Sequence, residues 1–291
     1  MNEFLQYTIQ GLAAGSFYAL AALGLAIIFG VLGVVNFAHG ASYMLGAVVA
    51  AVLLDLIGLN FWMALLVVPV LMFLFGIVLE RLLISRLIAL DPLYNFLLTF
   101  GLSLVLVDLV KRQYGVSGLP YTRPEILTGQ LTLGDVRLPT YQVFVLAFSI
   151  LVCLAVWLLM TRTRIGMIVR ASTEKAELTR ALGVDVNRWV TPVFGFGFGI
   201  ALAGLAGVLA APFRAITADM GSSFIIILFA VVVIGGLGSI VGAVVAGFLV
   251  GLVEAYGQAY AASLSQIVIF VLMALVILLR PAGLFGREEN A

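Results

Sequence analysis

The stretch YTIQGLAAGSFYALAALGLAIIFGVL, Tyr7–Leu32, decides the fold. It contains no Asp, Glu, Lys, Arg or His, and a helix needs roughly 20 mainly apolar residues to cross the hydrocarbon core of a bilayer. It reads as a membrane helix. Only Glu3 carries a side-chain charge before Asp55, and the first Lys or Arg is Arg81. A cleavable secretion signal needs a basic region ahead of its apolar stretch, so the expectation is a retained span.

Outward from there the pattern repeats at Ala41–Ile57, Phe61–Leu79, Tyr94–Val110, Tyr141–Met160, Thr191–Ala211, Ser223–Ile234, Ile240–Ala255 and Leu264–Leu279. The breaks at Asn36–Gly40 and Gly235–Ser239 can mark partial or re-entrant helices, so about eight to ten membrane segments are expected. Apolar residues are 64% of the chain, against roughly 45–50% in soluble proteins, and charged ones are 10%, against about 25%. So few charges cannot build a water-soluble surface. The expected fold is all-α: a polytopic transmembrane helical bundle forming one domain over residues 1–291.

Basic residues in short loops set the orientation. Arg162, Arg164, Arg170, Lys175, Arg180 and Arg188 crowd the loop at 161–190, which is therefore placed in the cytoplasm. Counting crossings puts Arg81, Arg86, Arg280 and Arg287 on the same side, with the C-terminus. Lys111, Arg112, Arg123, Arg137 and Arg214 fall outside, with the N-terminus. The external loop at 111–140 holds Gly115, Gly118, Pro120, Pro124, Gly129, Gly134 and Pro139, and reads as irregular or short-stranded.

The cytoplasmic loop has more order. Ser172 or Thr173 can cap a short helix, Glu174 and Glu177 favour its first turns, and Gly183 can close it. Leu178, Ala181 and Leu182 share one face. A solvated connecting loop is the plainer alternative. Within the membrane, Gly11/Gly15, Gly195/Gly199, Gly238/Gly242 and Gly247/Gly251 each lie four apart, a spacing that lets helices pack closely. Both breaks are followed by Gly-Ala-Val-Val-Ala, at Gly46–Ala50 and Gly242–Ala246. An internal duplication and a chance repeat in a biased sequence explain this equally.

Several kinds of chemistry are excluded. Fifteen basic residues balance fourteen acidic ones, so no nucleic-acid partner is expected. A phosphate loop needs Gly-Lys-Ser/Thr, yet Lys111 follows Val110 and Lys175 follows Glu174. The chain is thus not expected to bind ATP, or any cofactor, itself. His39 and Cys153 are each the only one of their kind, which leaves no metal cluster, triad or disulfide; Cys153 reads as a buried structural thiol. His39, Asp108 and Glu254 are candidates for ion coupling, though each can sit near a helix end. For His39, hydrogen bonding at the break and ligand contact are both open. What remains is a transport pathway without its own motor. An ion-coupled carrier acting alone and a membrane scaffold are the alternatives.

Four segments carry a family resemblance: Asn36-Phe37-Ala38-His39-Gly40; Arg170-Ala171 through Ala181-Leu182-Gly183-Val184; Gly235-Gly236-Leu237-Gly238-Ser239-Ile240-Val241-Gly242; and Arg280-Pro281-Ala282-Gly283-Leu284-Phe285-Gly286. In this order, over essentially the whole chain, they resemble the LivH-type permeases of branched-chain amino acid ABC importers. The resemblance implies the larger-bundle class of importer permease, in a bacterial inner membrane. It implies two ATP-binding cassette subunits that use ATP, a second related permease, and a periplasmic binding protein that delivers substrate. Coupling to the ATPases would fall to Arg170, Ala171, Leu178, Arg180, Leu182 and Gly183. The pathway would run by Asn36, Phe37, His39, Gly40, Gly235, Gly236, Gly238, Ser239 and Gly242. Val241 stands where proline is expected, and Met167-Ile168-Val169 replaces a more polar stretch. These departures widen the expected substrates to urea, short amides or aromatic acids.

Overall fold

A computed structural model describes residues 2–87, 90–133 and 136–286; Gly134 and Arg287, used above, lie outside them. The central helix is α1 (Asn2–Leu32), whose residues from Phe17 to Leu23 are all buried. A helix that is apolar all round belongs inside a bundle, and α1 is surrounded accordingly. It packs on α10 (Ile240–Tyr260), α8 (Phe198–Ala210) and α5 (Thr140–Arg162). The remaining long helices are α2 (Ala38–Ile57), α3 (Phe61–Leu82), α4 (Pro92–Tyr114) and α11 (Ser265–Leu279). α3, α4, α5 and α11 turn Leu66, Leu97, Leu151, Leu278 and similar side chains outward, as a lipid-facing surface requires.

Eight of the described helical segments are long and apolar enough to cross a membrane. A ninth, α9 (Met220–Gly235), is shorter. All nine stretches expected from the sequence are helical. The stretch expected to begin at Thr191 starts earlier and is not α-helical throughout: Val186–Gly197 is a π-helix, capped by Asp185, that runs into α8. The loop at 111–140 contains a two-stranded antiparallel hairpin, β1 (Gln130–Leu133) and β2 (Val136–Pro139). β2 packs on α1. This end of the bundle also holds the segment at 211–219, joined to the loop by Leu119 N–H to Ile216 C=O and by the Lys111–Asp219 ion pair at 2.8 Å.

Two of the glycine pairs interlock. Gly11 and Gly15 on α1 face Gly251 and Gly247 on α10, and a Cβ at Gly15 would lie 2.8 Å from the Cα of Phe248. The helices thus meet backbone to backbone, where dispersion contacts are densest. The pair Gly238/Gly242 is a correction. Ser239 caps α10, leaving Gly238 outside the helix with φ +76. Gly238 faces Gly30 of α1, while Gly242 abuts Gly235.

Candidate functional site

The first break is a re-entry rather than a loop. His39 at the start of α2 donates from Nε2 to the carbonyl of Ala21 at 2.9 Å. Ala21 lies eleven residues before the end of α1, so the chain doubles back by about 16 Å at 1.5 Å per residue. α2 therefore begins deep inside the bundle, where free backbone donors are costly. Asn36 answers that need. Its Oδ1 accepts from the N–H of Ala38 at 3.0 Å, and Thr99 Oγ1 accepts from Phe37 N–H at 3.2 Å. Phe37 makes an edge contact with Phe96, with ring centroids 4.8 Å apart. Gly40 and Gly221 of α9 touch through their backbones. Asn36 and His39 are buried, leaving Asn36 Nδ2 and His39 Nδ1 without partners among the described residues.

The second break, Gly236–Ser239, is a tight turn between α9 and α10. Gly236 has φ +100, a conformation that glycine adopts freely. Against it lies the C-terminal motif: Leu284 N–H bonds Ile234 C=O at 2.9 Å, and Phe285 N–H bonds Gly235 C=O at 3.0 Å. The two breaks approach one another around an apolar cavity of about 10 Å³, lined by Leu25, Phe29, Val35, Phe229, Val232 and Leu237. That is space for a single water at most.

The loop at 161–190 differs from the expected single helix. α6 (Arg164–Glu174) and α7 (Ala176–Ala181) are separated at Lys175. Ser172 and Thr173 therefore lie inside α6 and do not cap a helix. Thr163 caps α6 by accepting from Gly166 N–H at 3.2 Å. Gly166, Val169 and Ser172 are its buried face. Gly183 closes α7 as expected: at φ +87 it bonds the carbonyl of Arg180, and Val184 bonds that of Thr179, a Schellman motif. Leu178 and Leu182 are 58% and 85% exposed, and Met167, Ile168 and Trp189 on the flanking helices are exposed as well. Ala171 is also exposed. Arg180 bonds Asn187 Oδ1 at 3.1 Å. Arg170 turns one guanidinium nitrogen back onto the carbonyl of Met160 at the end of α5, so this nitrogen is committed within the chain.

Of the other ionisable candidates, Asp108 pairs with Arg112 at 2.7 Å on the surface of α4, a solvated i,i+4 pair. Glu254 is different. Its Oε2 accepts from Tyr18 OH at 2.6 Å and its Oε1 from Gln258 Nε2 at 3.1 Å. Tyr18 stacks near Phe224, which lies 3.9 Å from the ring of Tyr43. Arg214, counted above only as an external charge, reaches this cluster electrostatically. Desolvation works against its charge, but Tyr18, Tyr43 and Glu254 outweigh that effect and hold its pKa up. Sequence reasoning missed Tyr18, Tyr43 and Arg214. The available signal was an arginine close to membrane depth.

Comparison with known proteins adds the family. The family model described as "Branched-chain amino acid transport system / permease component" matches residues 7–277. The high-affinity branched-chain amino acid permease protein BraD of Pseudomonas aeruginosa is 31% identical over 99% of this chain and 97% of its own. LivH of Escherichia coli K12 is 30% identical, over 98% and 96%. A probable LivH of Methanocaldococcus jannaschii is 29% identical, over 92% and 88%. Among solved structures, PsaBC from Streptococcus pneumoniae in complex with Fab aligns with TM-score 0.48 and 14% identity over 95% of this chain and 90% of that one, too distant to bear on function.

Proposed function

Since this chain belongs to the family of branched-chain amino acid transport system permease components, we propose that it lines the translocation pathway for branched-chain amino acids, or related small polar solutes, in an ABC importer. It is a multi-pass protein of the bacterial inner membrane. Two ATP-binding cassette subunits bind and hydrolyse ATP, a second related permease completes the pore, and a periplasmic binding protein delivers the solute. The chain itself binds no nucleotide, cofactor or metal. The observation that carries this reading is similarity to permeases over nearly the full length.

The exposed apolar side chains of α6 and α7 support an external motor. Leu178 and Leu182 lie in the aqueous loop rather than among lipids, and an apolar patch in water favours a partner surface. Asn36, Phe37, His39, Gly40, Gly235, Gly236, Gly238, Ser239 and Gly242 form the inner seam that must open for passage. The π-helix at Val186–Gly197 joins α7 to α8, so a displacement of the cytoplasmic helices has a direct covalent route to that seam. Reconstitution of the chain with its ATPases, partner permease and binding protein tests the reading. Leucine uptake that needs ATP and every subunit is expected. Uptake by this chain alone, driven by an ion gradient, would replace the reading with that of a solitary carrier.

A further inference from the structure

Between α2 and α4 the bundle leaves a groove of about 310 Å³, against about 10 Å³ for the cavity between the two breaks. Both helices are long and apolar enough to span the membrane, and α4 packs chiefly on α2. Towards its start, α4 is pinned to the first break: Thr99 Oγ1 accepts from Phe37 N–H at 3.2 Å, and Phe96 meets Phe37 edge-on. Towards its end, Lys111 Nζ lies 2.8 Å from Asp219. The groove interrupts the contact that α4 depends on most.

Its lining is aliphatic. Leu45, Val49 and Val52 come from α2, Leu106 and Leu109 from α4, and Val48 and Val110 are its buried members. The one polar side chain is Tyr114, the last residue of α4. Backbone N–H and C=O groups within a membrane helix are spent on their own hydrogen bonds, so an amino acid or amide would find almost nothing to bond. The occupant must be apolar. The groove runs along Leu45–Leu53 and Leu106–Tyr114, nine residues of each helix, or about 12 Å at 1.5 Å per residue. That is less than the roughly 15 Å of hydrocarbon in one leaflet. A helix with its side chains is about 10–12 Å across and would need on the order of 1,000 Å³ over this length. Close helix contacts in membranes also use small residues, and the lining has none. A helix of a neighbouring subunit does not fit this space; a single acyl chain does.

The groove is continuous with the lipid-facing surface of α4, where Leu97, Leu104 and Leu109 are exposed. We propose that it is a binding site for one acyl chain of a bilayer phospholipid, inserted between α2 and α4 with its head group at the level of Tyr114. Tyrosine is favoured at that interface. Lys111 and Arg112, the two basic residues of α4, are already paired with Asp219 and Asp108. The site therefore reads the chain and not the charge of the head group. The acyl chain supplies packing atoms that the protein lacks along α4. Because Thr99 and Phe96 of α4 hold Phe37, the bound lipid also steadies the first break.

The test uses the assembled transporter in vesicles that contain a phospholipid with a photoactivatable diazirine in one acyl chain. Mass spectrometry then reads which residues are labelled. Label is expected on Leu45, Val49 and Leu106, as well as on Leu151 of α5, which is exposed and remote from the groove. Val52→Trp fills the groove with a side chain, so label on Leu45 and Val49 is expected to be lost while that on Leu151 remains. Leu106→Trp serves the same purpose if Val52→Trp fails to assemble. Phosphatidylethanolamine and phosphatidylglycerol carrying the same reactive chain are expected to label the groove equally. Label on Leu151 with none on α2 would overturn the site; if the isolated chain were nevertheless labelled on α2, another subunit would be the occupant. Unchanged α2 labelling in both tryptophan variants would also overturn it, as would label from only one of the two head groups.

Discussion

Leu284 donates its backbone N–H to the carbonyl of Ile234 at 2.9 Å, tying the last described turn of the chain to the end of α9. Phe285 repeats the contact on Gly235 at 3.0 Å. Two motifs some forty residues apart thus form one object. The C-terminal Arg-Pro-Ala-Gly-Leu-Phe-Gly satisfies carbonyls that the broken helix leaves without intrahelical partners. Gly236 and Gly283 face one another across the contact, each at positive φ. Only glycine suits both demands, of space and of conformation.

Gly283→Ala would bring a Cβ to 2.6 Å from the Cα and N of Gly236. It is expected to destabilise the protein by about 1–3 kcal/mol. A drop of several degrees in the thermal transition of the detergent-solubilised chain is the expected readout, and an unchanged transition would show that the contact is dispensable.

Gly251→Leu would drive a side chain into the backbone of Gly15 at the α1–α10 seam. The expected cost is at least about 1–3 kcal/mol, seen as loss of folded yield. Gly101→Leu on α4 is the matched control, because nothing lies within 4 Å of its Cβ position. Equal yields from both variants would mean that the seam tolerates bulk.

Asn36→Ala removes the acceptor for Ala38 N–H at the deep start of α2. An unsatisfied buried donor costs about 1–3 kcal/mol. Asn36→Ser keeps a shorter acceptor and is expected to recover part of the loss. Thermal unfolding of the three proteins should therefore rank wild type above Ser above Ala; Ala matching wild type would argue against the capping role.

Leu178→Asp with Leu182→Asp places two charges on the exposed apolar patch of α7. Both residues are exposed, so the chain should still insert and fold. Co-purification of the ATPase subunits and leucine uptake are expected to be lost. Arg170→Ala should act differently, loosening the α5–α6 corner at Met160 while sparing most of the docking surface. Normal ATPase binding by the double aspartate variant would move the coupling element elsewhere.

Membrane solvation, helix count and the helix cap at Gly183 were legible in the sequence. Hydrocarbon admits only long apolar helices, so Tyr7–Leu32 has one outcome, and a glycine after Leu182 has a local reason. The Gly11/Gly15 and Gly247/Gly251 pairs announced close packing, although not that they pack on each other. Other features needed the tertiary structure. Thr163 rather than Ser172 caps α6, because Gly166 and Arg170 both turn onto the end of α5. Gly238 leaves the helix because Ser239 takes the cap. His39 bonds Ala21 because α2 starts back inside the bundle, within side-chain reach of α1. Tyr18 meets Glu254, and Phe224 stacks with both Tyr18 and Tyr43, only because α1, α2, α9 and α10, distant in sequence, converge in the bundle. Local chemistry fixes what a segment becomes; a site made of single residues from separate helices exists only once the bundle has chosen which of those helices touch.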